Sequence, residues 1–89
     1  MIISEFVTAY KERSEATEDK AEKMACGNIA HVFEDKSLDF AAQVLHSMHA
    51  DIVMRMQGLT RDSKYGYYCD LKTCRDIYKQ AIEELNGAF

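Results

Sequence analysis

Residues 37–59 read SLDFAAQVLHSMHADIVMRMQGL, and their spacing decides the fold class. At about 100° per residue, Leu38, Ala41, Ala42, Leu45, Met48, Ile52, Met56 and Leu59 fall on one stripe. Gln43, Ser47, Asp51 and Gln57 fall away from it. Ser37 suits the N-cap, Asp39 suits the positive end of the helix dipole, and Gly58 suits the stop. At about 1.5 Å per residue the helix would be a rod of roughly 35 Å. That length predicts a spine around which the other elements pack. Val44, Val53 and Met54 lie outside the stripe and are expected to be covered by a second copy or a partner.

On the N-terminal side, Phe6, Val7 and Tyr10 form a short apolar face, with Glu5, Lys11, Glu12 and Arg13 outward and Ser4 as cap. The pattern dissolves over residues 14–20 and recovers after Thr17. Two helices, with the second capped by Ser14 or Thr17, are favoured over a single helix through residues 4–35. On the second, Thr17, Ala21, Met24, Ala25, Asn28, His31 and Val32 share a face, widened by Ile29 and Phe33. Gly27 sits inside it at a cost of about 1 kcal/mol relative to Ala, a cost that a close helix crossing would explain. On the C-terminal side, Ser63 and Gly66 predict a turn and Asp70 a cap. The last helix is expected at about residues 70–86, with Leu71, Cys74, Ile77 (or Tyr78), Ala81, Ile82 and Leu85 inward and Asn86-Gly87 ending it. The expectation is an all-α single domain, a small bundle of three to four helices with short, antiparallel connections.

Composition narrows the function classes. The 89 residues are 47% hydrophobic and 29% charged, ordinary for a soluble globular chain, but a core of this size is thin and self-association would help it. No segment reaches 18 consecutive apolar residues, and the first residues lack the basic start and apolar core of a secretory signal. Three cysteines in that context predict free thiols and a cytoplasmic location. The net charge of −4 argues against non-specific nucleic-acid binding, which rests on basic surface.

Four constellations could carry chemistry. His46, His49, Cys69 and Cys74 are residue types that ligate zinc, but the expected helix cap at Asp70 separates Cys69 from Cys74 and His46 lies about 60° from His49, so no metal or other cofactor is expected. Asn28, His31 and His49 could line a polar pocket between helices, although satisfied core hydrogen bonds are the plainer reading of the histidines. No catalytic motif is found: the serines sit at caps and turns with no strand-to-helix elbow, there is no H-E-x-x-H, and the glycines form no phosphate loop. Arg55, Arg61, Lys64, Tyr65, Tyr67 and Tyr68 concentrate cations and aromatics, the residue types enriched in interface hot spots. The same groups could stack on a base and hold the phosphate of an anionic nucleotide.

The expected function is therefore non-catalytic binding through protein–protein contacts, to a protein partner or as a homodimer, with those six residues as the contact. Small acidic domains of this profile include accessory and inhibitor proteins, many phage-encoded modulators of host systems among them. A nucleotide-binding helical protein and a zinc-stabilised interaction module are the alternatives.

Overall fold

A computed structural model describes the backbone of residues 3–35, 37–57 and 65–88, and side chains within 4–34, 37–57 and 70–87. Those residues form a compact all-α bundle with no strand among them: α1 (Ile3–Ala16), α2 (Lys20–Asp35), α3 (Leu38–Gln57) and α4 (Tyr65–Ala88). Its extents are 41 × 26 × 21 Å, the longest matching the roughly 36 Å expected for the 24 residues of α4.

The break between α1 and α2 is built by side chains, since the chain contains no Pro. Asp19, rather than Ser14 or Thr17, caps α2: its Oδ1 accepts from Ala21 N at 2.9 Å and Glu22 N at 3.2 Å. Thr17 Oγ1 accepts from Asp19 N at 3.2 Å, so the threonine shapes the connection and the aspartate starts the helix. Such a cap contributes about 1 kcal/mol, and its charge suits the helix dipole. Ser14 is used differently. Its hydroxyl donates to the carbonyl of Lys23 on α2 at 2.8 Å, and a Cβ added to Gly27 would sit 3.3 Å from Ser14 Oγ. The glycine is thus explained by a close approach of α1 to α2.

The core face of α2 is Ala21, Ala25, Cys26, Ile29, Ala30, Val32 and Phe33. This is rotated by about 100°, one residue of helix, from the face that Met24, Asn28 and His31 suggest. All three are exposed, Met24 at 55%. The reason is that α2 packs against each of the other helices and most heavily against α1 and α4. Its small residues, Cys26 and Ala30 included, lie on the side where neighbours come close.

Helix α3 is capped by Ser37 as expected, with Ser37 Oγ accepting from Phe40 N at 3.4 Å. Ala41, Leu45, Ile52 and Met56 are buried, and Val44 and Met48 pack against the core from the flank. Leu38, at the helix start, stays 40% exposed. The helix is not the spine. It lies at one side of the bundle, mainly on α4, while α2 and α4 form the centre. The expected stop at Gly58 and the stripe residue Leu59 lie outside the described residues.

Helix α4 starts at Tyr65, five residues before the expected Asp70 cap, which is an exposed residue inside the helix. It also runs through Asn86 and Gly87 to Ala88. A single glycine costs a helix only about 1 kcal/mol, and burial of Leu71, Cys74, Ile77, Tyr78, Ala81 and Leu85 outweighs it.

Candidate functional site

Three regions can be compared as sites. The first is a polar seam between α1 and α4, floored by α2. Phe6, Tyr10 and Arg13 are spaced four and three apart, so they share one side of α1. Phe6 is fully buried, with its ring 4.9 Å from Tyr10 and 5.2 Å, edge-on, from Phe33. Tyr10 is 4% exposed and donates its hydroxyl to Glu84 Oε2 at 3.1 Å. Gln80 donates to the other oxygen of Glu84, also at 3.1 Å. Arg13, expected to point outward, instead lies half-buried and spans three helices, donating to Gln80 Oε1 at 3.3 Å and Glu22 Oε2 at 3.4 Å. Ala9, Tyr10, Arg13 and Glu84 border an open hollow of about 210 Å³ there.

Burial pushes the Tyr10 phenol well above its ordinary range, and the charge of Glu84 adds to the rise. Burial likewise raises the Cys26 and Cys74 thiols and the Tyr78 phenol. These groups are held neutral, and a neutral thiol is a poor nucleophile. Every buried side-chain nitrogen or oxygen among the described residues has a partner. The seam is therefore a satisfied network that orients three helices, not an open reactive centre. The sequence does not reveal it because Arg13 looks like a solvated position. The one available signal was that Arg13 continues the Phe6–Tyr10 face.

The second region is the polar trio. Asn28 donates to the Tyr78 hydroxyl at 3.4 Å, which ties α2 to α4. His31, three residues on, instead lines a hollow of about 210 Å³ with Lys11, Ser14, Glu15 and Glu34 of the α1–α2 pair. His49 is half-buried on α3. The structure thus distributes the three over different helix pairs. Of the residues a zinc reading would need, Cys74 is buried with its Sγ 3.7 Å from the Ala21 carbonyl oxygen, and His46 is exposed on α3. No group of three or more His, Cys, Asp or Glu among the described residues could hold a metal ion. Cys69's side chain lies outside the described residues.

The third region is surface. Arg55 is exposed and paired with Asp51 one turn earlier at 3.0 Å, so its charge is matched on its own helix. Arg61 and Lys64 lie outside the described residues, as do the side chains of Tyr65, Tyr67 and Tyr68; the backbone puts those tyrosines in the first turn of α4 rather than in a loop. On α3, Phe40 is 52% and Met54 69% exposed. Phe40 continues through Val44, one turn on, to Met48 along a single flank. Val53, nine residues beyond Val44, is on the other side of the helix, about 180° away. The residues left over from the apolar stripe therefore do not make one surface: Val44 goes with Phe40, and Val53 does not. Among the described residues, no helix is long and apolar enough to cross a membrane. No protein family matches the chain, and no curated protein or solved structure matches it either.

Proposed function

We propose that the protein is a non-catalytic binding module of the accessory or inhibitor type, and that it docks on another protein through the outer side of α3. The observation that supports this reading is the exposure of Phe40 and Met54 on a helix that buries Ala41, Leu45, Ile52 and Met56 in the core. Aromatic side chains and methionine supply much contact area, and methionine adapts its shape to the surface it meets. Arg55 and Asp51 lie alongside, as charged groups at the rim of an interface do. Arg61, Lys64, Tyr65, Tyr67 and Tyr68 follow α3 in the chain and extend the proposed contact. A modulator of a host protein, of the kind phages encode, is the specific form of this reading that small size and mild acidity favour.

The test compares the native chain with two variants, F40S/M54S and Y65A/Y67A/Y68A, in partner capture from source-cell extract followed by titration of the captured protein. The reading expects at least tenfold weaker binding by F40S/M54S, with its helical circular dichroism and melting temperature unchanged. Undiminished binding by that variant would remove α3 from the contact. Loss confined to the tyrosine variant would move the contact to the start of α4. Light scattering across a concentration series identifies the case in which the partner is a second copy.

A further inference from the structure

We draw no further inference here: the strongest candidate, the exposed apolar flank of α3 around Phe40, Val44 and Met54, belongs to the surface already proposed, and nothing in the structure shows what covers it.

Discussion

Where α1, α2 and α4 meet, apolar packing is threaded by directional bonds. Tyr10 reaches Glu84, Arg13 reaches Gln80 and Glu22, Ser14 reaches the Lys23 carbonyl, and Asn28 reaches Tyr78. Each has a definite length and angle, so together they specify one register for three helices. Among the described residues, helix α3 is secured differently, by burying Ala41, Leu45, Ile52 and Met56, while Phe40 and Met54 stay more than half exposed. Apolar burial scales with area and has no preferred direction. A helix held that way can carry apolar groups on its outer side without disturbing its seat. The comparison teaches that register is set on one side of this bundle and that the surface most suited to a partner lies on the other.

The largest expected effect is on the directional side. Phe6→Ala should destabilise by about 3–5 kcal/mol, a large part of the roughly 4–13 kcal/mol expected of a chain this long. Urea unfolding followed by circular dichroism measures it. A cost below about 2 kcal/mol would mean that α1 is not integral to the core and that the contrast with α3 is misplaced.

Alkali should weaken the same side next. The folded state raises the pKa values of Tyr10, Tyr78, Cys26 and Cys74, so it holds their protons more tightly than the unfolded chain does. That contribution is complete below the unfolded values, about 8.5 for Cys and 10 for Tyr, and is lost as pH rises through and beyond them. Urea midpoints should fall steadily from pH 8 upward, and Tyr10→Phe should make the fall shallower. An unchanged slope in that variant would show that the phenol is not held neutral by its seat.

A smaller effect sharpens the register argument. Gly27→Ala gains about 1 kcal/mol of helix propensity but presses on Ser14 Oγ, whose hydrogen bond contributes a similar amount. The single change should be close to neutral. In a Ser14→Ala background it should stabilise by about 1 kcal/mol, and the difference, read from a double-mutant cycle, measures the close approach. Additivity of the two changes would mean that the helices are not in contact there.

The smallest effect belongs to α3. F40S/M54S should shift stability by no more than about 0.5 kcal/mol in thermal or urea unfolding, as exposed positions do. A loss above 1.5 kcal/mol would mean that these side chains support the fold, and the two regions would no longer be distinguishable by plan.

Much of this fold is legible in the residues. The all-α reading, a bundle of three to four helices, follows from apolar spacing; the Ser37 cap, the break after α1 and the close crossing at Gly27 follow from side-chain chemistry. The site is less legible. Arg13 reads as solvated because a long charged side chain carries no sign of what it can reach, and Met24 reads as core because its spacing puts it on a face with Ala21, Ala25 and Asn28. The tyrosine group was singled out by composition, and its side chains lie outside the described residues.

By itself, then, the sequence determined the all-α class and the Ser37 cap of α3, because both depend on interactions within a few positions. Only the tertiary structure decided that α2 and α4, not the longest apolar stripe, occupy the centre. It also turned the face of α2 by one residue to bring Cys26 and Ala30 inside, and drew Arg13 inward across three helices. Those outcomes depend on which helices are neighbours, and a stripe of apolar residues states how much surface must be covered without stating what covers it.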